Sequence, residues 1–251
     1  MSSKQLVIIP ARMGSSRFPG KPLFEIAGMP MIQHCISNAE KAVGRDFTWV
    51  ATCDEEISDF VRSVGSNVVM TSDKHDRATD RTAEAASIVE NEFAEKFDII
   101  AMLQGDEPLI SASMIKKSVE VLHRNPEIVV SNLMCDIASL EEFRNPNTVK
   151  VVCDANNFAL YFSREPIPSL WKLPDEAIMR KQVCIIPFRR EFLGTFNALC
   201  ETPLERLESI DMMRALENGY RVKMVETTNE IQAVDTIQDA EIVEEIIKKL
   251  L

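Results

Sequence analysis

The chain has 251 residues, 45% hydrophobic and 27% charged, with a formal net charge of -11 at pH 7. That length suits one large α/β domain, and the composition supplies a packed core rather than disorder. The acidic balance excludes non-specific nucleic-acid binding, which needs a basic face, but leaves room for a small basic pocket that takes a nucleotide. Along the chain, Lys4 to Pro10 is a short run rich in Val and Ile and predicts a fully buried strand. The loop after it carries Gly14, Ser15, Ser16, Pro19 and Gly20. Met29 to Val43 reads as a helix, Phe47 to Thr52 as a second strand, and Glu55 to Val64 as a helix ending near Gly65. Asn67 to Met70 predicts a third strand and Arg81 to Phe93 a helix. Phe97 to Leu103 predicts a fourth strand, Ser113 to His123 a helix and Ile128 to Cys135 a fifth strand. Strands alternating with helices at this spacing imply βαβ units. With right-handed crossovers they give an α/β fold with a Rossmann-like, doubly wound, mostly parallel sheet. Near Leu140 the rhythm changes. Val149 to Val152 and Ala159 to Phe162, split by Asp154, Asn156 and Asn157, read as a β-hairpin. Pro166, Pro168 and Pro174 mark an irregular loop. Pro203 to Asn218 reads as a helix, Arg221 to Val225 as a strand and Ile237 to Leu251 as the final helix. The expectation is a single domain over 1–251, with 145–190 as an inserted hairpin subregion.

None of the six cysteines forms a C-x-x-C pair, and several lie in apolar runs, which points to free thiols in a reducing compartment. The opening MSSKQLVIIPAR has too short an apolar run for a signal peptide. No segment approaches the roughly 20 apolar residues of a membrane helix. A cytoplasmic protein without a membrane partner is expected.

The densest chemistry lies in the first loop, IIPARMGSSRFPGKPL. In open α/β sheets ligands bind beyond the carboxyl ends of the strands, which is where this loop falls. Gly14, Ser15 and Ser16 offer backbone and hydroxyl donors to phosphate oxygens, and Arg12, Arg17 and Lys21 add positive charge. Such cations suit a nucleoside triphosphate, whose charge grows at the α-phosphorus during attack. The spacing is neither that of a P-loop nor of G-x-G-x-x-G.

This loop, together with LQGDEPLI and AVDT, resembles the sugar-acid cytidylyltransferases, and within them those acting on 3-deoxy-manno-octulosonate. VVMTS, ATDRTAEA, NPNTVKVV, ALYFSREPIP and TPLERLE extend the resemblance over nearly the whole chain. The resemblance implies transfer of CMP from CTP to a 2-keto-3-deoxy sugar acid, with Mg²⁺, in a homodimer built through 145–190. Asp106, after the fourth strand, faces the same sheet edge as the first loop, and Mg²⁺ takes one or two carboxylates plus substrate phosphates. Taken alone, Asp106 also reads as a turn residue before Pro108, and Asp235 reads better as a helix N-cap, with Thr236 as rival. The resemblance makes both aspartates metal ligands.

Cytosine and ribose contacts carried over from the family fall on Ala11, Arg12, Thr71, Ser72, Asp80, Arg81 and Gln104. The family's Ser-Gly-Thr-Asp-Arg reads Arg77-Ala78-Thr79-Asp80-Arg81 here, which is harmless if Ala78 has φ < 0. Thr79 and Asp80 also read as a cap for the helix expected from Arg81. On the sugar side the candidates are Arg164, Gln182, Glu208 and Asp211, although Arg164 and Glu208 equally suit a surface ion pair. A family histidine is Gln182 here, and a family glutamine is Met212, which removes hydrogen-bonding groups from a polyol pocket. These departures motivate an alternative acceptor: an acylneuraminate, an amino-substituted octulosonate or a phosphonate. A catalytically silent nucleotide-binding homologue is a third reading. His34 and His123 fall on helices and read as structural; His75, in a loop, reads equally as a substrate contact or as solvated.

Overall fold

The computed structural model describes residues 4–14, 17–172, 178–228 and 231–250. The elements are β1 (Gln5–Pro10), β2 (Glu25–Ile26), β3 (Met29–Pro30), α1 (Met31–Val43), β4 (Thr48–Thr52), α2 (Glu55–Ser63) and β5 (Asn67–Met70). Then come α3 (Ala78–Phe93), β6 (Ile99–Leu103), α4 (Ala112–Arg124), β7 (Ser131–Asp136), α5 (Leu140–Arg144), β8 (Lys150–Cys153) and β9 (Ala159–Ser163). The chain finishes with β10 (Arg180–Val183), β11 (Ile185–Arg189), α6 (Arg190–Ala198), α7 (Pro203–Glu208), α8 (Met212–Glu217), β12 (Lys223–Glu226) and α9 (Ile237–Leu250).

One five-stranded sheet has the order β11-β6-β1-β4-β5. β6, β1, β4 and β5 are parallel, and β11 closes the edge beside β6 in the antiparallel sense. The apolar run of β1 is buried on both faces, as a parallel strand requires. Leu6 and Ile8 pack with α3 and α6 side chains such as Val89 and Phe196. Val7 and Ile9 pack with α1 and α4 side chains such as Ile36 and Ile115. The chain winds outward from β1 to β5 and then returns to β6 on the other side of β1. The crevice beyond the carboxyl ends of β1 and β6 is therefore the topological switch point, where such sheets bind ligands.

The fifth predicted strand does not extend the first sheet. Val130 makes one bridge to Phe188 of β11, and from Ser131 the strand belongs to a second five-stranded sheet, β12-β7-β10-β8-β9. The reason is that β11 already fills the edge beside β6, pairing from Ile185–Leu103 through Arg189–Ile99. The second sheet is mixed, with β12 and β7 parallel and the other pairs antiparallel. The expected hairpin is β8–β9, its turn closed by Asp154 accepting from the Asn156 and Phe158 amides, with Asn157 at φ 57. Of the stretch 145–190, β8, β9 and β10 join the second sheet, whereas β11 belongs to the first.

The helix expected over Pro203 to Asn218 is broken into α7 and α8 at Ser209, which sits at φ 54. β10, β11, α5 and α6 have no counterpart in the sequence reading. α9 packs Ala240 and Val243 against Phe18, Ile26 and Met31, so the last helix clamps the first loop.

Candidate active site

Two glycines shape the crevice. Gly20, at φ +73, turns the first loop so that its amide reaches Met13 O and Lys21 opens a short helical turn. At Gly105, a Cβ would lie 3.2 Å from Pro10 O and 3.5 Å from the Ala11 side chain. A side chain here would press on the Pro10 carbonyl, so glycine lets the loop after β6 lie against the loop after β1 this closely, which carries Asp106 to Lys21.

Lys21 Nζ donates to Asp106 Oδ2 at 2.7 Å and to Val234 O at 2.8 Å, and lies 3.8 Å from Asp235 Oδ1. The Val234 amide donates in turn to Asp106 O, so the main chain itself fastens the Asp235 segment beside Asp106. Arg17 Nη2 donates to Asp235 Oδ1 at 2.9 Å. Thr236 takes the capping role at α9, its hydroxyl accepting from the Asp239 amide while Asp239 Oδ2 accepts from the amides of Asp235 and Thr236. The Asp235 carboxylate is thereby left to the crevice. Burial, followed by the charge of Asp106, raises its carboxyl above the ordinary range, against the pull of Lys21 and Arg17. Asp106 Oδ1 is buried and has no hydrogen-bond partner among the described residues.

These side chains stand between two cavities. The first, about 310 Å³, is lined by Ala11, Arg12, Gly14, Arg17, Lys21, Gln104, Asp106 and Asp235, and by the first turn of α3 with Arg77, Ala78 and Arg81. α3 has no side-chain cap, and its first turn faces the cavity, which favours an anion there. Ala78 is the first residue of that helix and is not among the positive-φ residues, so alanine in place of the family's glycine is unstrained. The expected start at Arg81 moves forward, and Thr79 is no cap: its hydroxyl donates to Asp211 Oδ2 at 2.9 Å.

The second cavity, about 230 Å³, shares Arg17, Gln104, Asp106 and Asp235 with the first. Beyond that common wall it presents Asn145, Asn147, Thr148, Arg164, Lys181 and Gln182 on one hand and Met102, Ile186, Ile210 and Met212 on the other. Glu107 also lines it. Its Oε1 accepts from the Cys184 amide at 3.0 Å, where the chain crosses from the second sheet to the first. Burial and then the Asp106 charge push the Glu107 carboxyl up to about 7.

Several candidates stand behind the walls rather than in them. Thr71 and Ser72 line neither cavity; they hold Arg81, whose Nη1 donates to Thr71 Oγ1 at 2.5 Å and to Ser72 O at 3.2 Å. Asp80 points away and accepts from Asn197 at 3.0 Å. Glu208 is absent from both linings because Tyr161, Ser163 and the Arg164 amide occupy its carboxylate. Arg164 lines the second cavity with its guanidinium bound to the carbonyls of Pro146, Glu208 and Ser209, so it makes no surface ion pair. Gln182 donates to Asn132, and Asp211 accepts from Arg77 and Thr79, burial raising its carboxyl despite both. Ser15 lies outside the described residues. His75 lines the first cavity, bound to Glu84. His34 is buried on Ile26 O, and His123 meets Gln5.

Asn147, Lys181 and Glu107 were not singled out in the sequence. Glu107 was visible as the neighbour of Asp106 in QGDEP, and Asn147 in NPNTVK. Nothing in KQVC marks Lys181, which tertiary packing pairs with Glu142 and Ile231 O.

Residues 6–231 match the Cytidylyltransferase family. A 3-deoxy-manno-octulosonate cytidylyltransferase of Geobacter metallireducens is 42% identical to this chain, with 98% of each covered. One of Geobacter sulfurreducens is 43% identical, covering 96% of this chain and 98% of the other. A solved structure of CMP:2-keto-3-deoxy-manno-octonic acid synthetase complexed with CTP superimposes with a TM-score of 0.89 at 36% identity, covering 99% of this chain and 100% of that one.

Proposed function

The chain belongs to the cytidylyltransferase family, and on that premise we propose that it transfers CMP from CTP to 3-deoxy-manno-octulosonate, releasing pyrophosphate. The observation that carries this reading is the common wall: a cation-rich cavity and a mixed polar and apolar cavity meet at Arg17, Gln104, Asp106 and Asp235. CTP occupies the first cavity and the sugar acid the second, which brings the anomeric hydroxyl to the α-phosphorus. The hydroxyl oxygen forms the new bond to phosphorus as the bond to the bridging oxygen breaks in line; pyrophosphate leaves with that electron pair, and the hydroxyl proton is released to solvent. No protein nucleophile is required. The protein's work is to hold the two reactants and to stabilise charge.

Arg12, Arg17 and Lys21 neutralise the triphosphate and the departing pyrophosphate, with the first turn of α3 as a further anion site. Arg12, exposed at the mouth, has no carboxylate partner among the described residues and is free for phosphate. In the second cavity, whose lining also carries six carboxylates, Arg17, Arg164 and Lys181 are the cations that can meet the acid's carboxylate.

Asp106 and Asp235 would hold Mg²⁺. Both lie within 4 Å of the same ammonium, and the buried, unpartnered Oδ1 of Asp106 is an oxygen that fits a hard cation. Bound there, the ion would supply Lewis-acid polarisation of the phosphate and orientation of the acceptor oxygen. The convergence of Lys21, Asp106 and Asp235 argues against a silent homologue.

We place the reaction in the cytoplasm, where Cys35 and Cys135 remain buried free thiols. No helix among the described residues is long and apolar enough to cross a membrane. Leu160, Trp171 and Ile178, exposed by 62%, 86% and 61% within 145–190, are apolar side chains that a homodimer contact there would cover. Sedimentation would give a dimer that a Trp171→Glu change weakens.

The test of function is pyrophosphate release with CTP, Mg²⁺ and a panel of acids. Strong preference for 3-deoxy-manno-octulosonate is expected. Faster release with an acylneuraminate or an amino-substituted octulosonate would reassign the acceptor, and CTP binding without release on any acid would leave a silent protein.

A further inference from the structure

Lys150 is a buried lysine with no ion pair among the described residues. Its side chain is fully enclosed, and its Nζ donates to Asn145 O at 2.9 Å, to Thr148 O at 2.6 Å and to Arg164 O. Enclosing an ammonium among neutral carbonyls costs desolvation that the more distant Glu165 and Glu208 offset only in part. A methionine would fill the same space and serve the core as well. What the ammonium adds is position. Arg164 Nη1 holds Pro146 O at 2.9 Å, so the carbonyls of Asn145, Pro146 and Thr148 are each tied to a cation. The loop so fixed leaves the Asn147 side chain free to act. Asn147 Oδ1 accepts from Arg17 Nη1 at 2.5 Å, while the other terminal nitrogen of Arg17 holds Asp235. The guanidinium is thus stretched between the acceptor cavity's rim and the carboxylate at the common wall.

We propose that Asn147 and Lys150 are positioning residues that set the Arg17 guanidinium from the acceptor side, so that the loop forming the acceptor cavity also orients a cation of the nucleotide cavity. The proposal rests on reading the second cavity as the acceptor site. It assigns the NPNTVK segment a role in joining the two halves of the reaction, with Lys150 acting through the loop and Asn147 acting on Arg17 directly.

Asn147→Ala and Lys150→Met test it, with steady-state kinetics in each substrate and the ¹⁵N resonance of Arg17 Nε, assigned by its loss in Arg17→Lys. In both variants KM for the acid is expected to rise about fivefold more than KM for CTP, with kcat lowered about tenfold. The Arg17 resonance is expected to move or broaden in the free protein. A role in folding alone reduces the active fraction, which lowers apparent kcat and leaves both KM values and the resonance where they were; that result overturns the proposal. Asn147 is exposed, so its variant keeps the test in force if Lys150→Met does not fold. If the wild-type protein releases no pyrophosphate with any acid, the function fails, and the Arg17 resonance still decides the positioning claim.

Discussion

The cavity we propose for the nucleotide and the one we propose for the acceptor share a wall but are built differently. The first takes its side chains mainly from the ends of adjacent parallel strands, β1 and β6, and from the first turn of α3, with Asp235 added from the segment before α9. Its decisive contacts run from side chain to side chain, as in Lys21 with Asp106 and Arg17 with Asp235. The second is assembled from segments far apart in the chain, around 145–149, 164, 181–186, 209–212 and 231–235. Arg164 in its wall holds the Glu208 carbonyl, Lys181 holds the Ile231 carbonyl beside the Glu142 carboxylate, and Lys150 behind the wall holds the carbonyls of Asn145 and Thr148. One site follows from sheet topology. The other depends on how separate loops are pinned to one another, so its specificity can change without disturbing the phosphate chemistry.

The largest effect that sharpens this contrast is expected from Asp106→Asn. Turnover should fall by about a thousandfold or more, since charge stabilisation at the reacting phosphate is the principal catalytic contribution, while the circular dichroism melt stays close to wild type. Near-normal turnover would remove the carboxylate from the reaction.

Next comes a change that should break the fold but not the contrast. Glu90, at the far end of α3, is enclosed by Arg190 at 2.9 Å and Lys96 at 2.9 Å. Burial raises its carboxyl, but these two cations and the Phe97 amide outweigh it, and the net direction is downward. The native state therefore binds fewer protons than the unfolded chain as pH falls. The stabilisation is present above the unfolded carboxyl's value of about 4.3 and is lost as pH drops through the lower native value. Glu90→Gln should cost about 1–2 kcal/mol at pH 7 in urea unfolding, because it removes charge-assisted hydrogen bonds from a buried carboxylate whose cations stay partly in water. The gap to wild type should narrow toward pH 3, with both KM values unchanged in the folded fraction. A constant gap across pH would contradict the pairing.

A smaller effect should single out the acceptor side. Met212 is fully buried in that cavity's apolar wall, and Met212→Ala should raise KM for the acid by about tenfold, the scale of a lost hydrophobic pocket contact. KM for CTP should hold. Equal movement of both would mean that the cavities are not separable. The smallest effect is expected from Ala78→Gly, which restores the family's residue at the first position of α3. It should lower stability by less than about 1 kcal/mol in thermal unfolding and leave turnover alone. A gain in activity would show that Ala78 obstructs the cavity.

Much of the nucleotide half could be read in advance. β1 announces itself by an unbroken apolar run, and the loop behind it carries its cations within a few residues of one another. Lys21 and Asp106 were paired by argument from strand ends, and the sheet topology does bring them to 2.7 Å. Thr71, Ser72 and Asp80 were placed on the ligand, but they support Arg81 or meet Asn197. Their proximity in sequence to Arg81 could not reveal which member of the group faces the cavity. On the acceptor side, Glu208 looked like a sugar contact and turned out to anchor β9 through Ser163 and the Arg164 amide.

The sequence by itself determined the buried parallel strands, the cation-rich loop after β1 and the β8–β9 turn. Each of these depends on residues that lie close together along the chain or on a period that local geometry imposes. Tertiary structure alone decided that β7 leaves the first sheet for a second one, that the helix after Pro203 breaks at Ser209, and that Asn147, Lys181 and Glu107 reach the second cavity. Those outcomes turn on competition for one sheet edge and on hydrogen bonds between distant groups, such as Glu107 with Cys184, 77 residues apart, and Arg17 with Asn147, 130 residues apart. No local pattern encodes who wins such a competition.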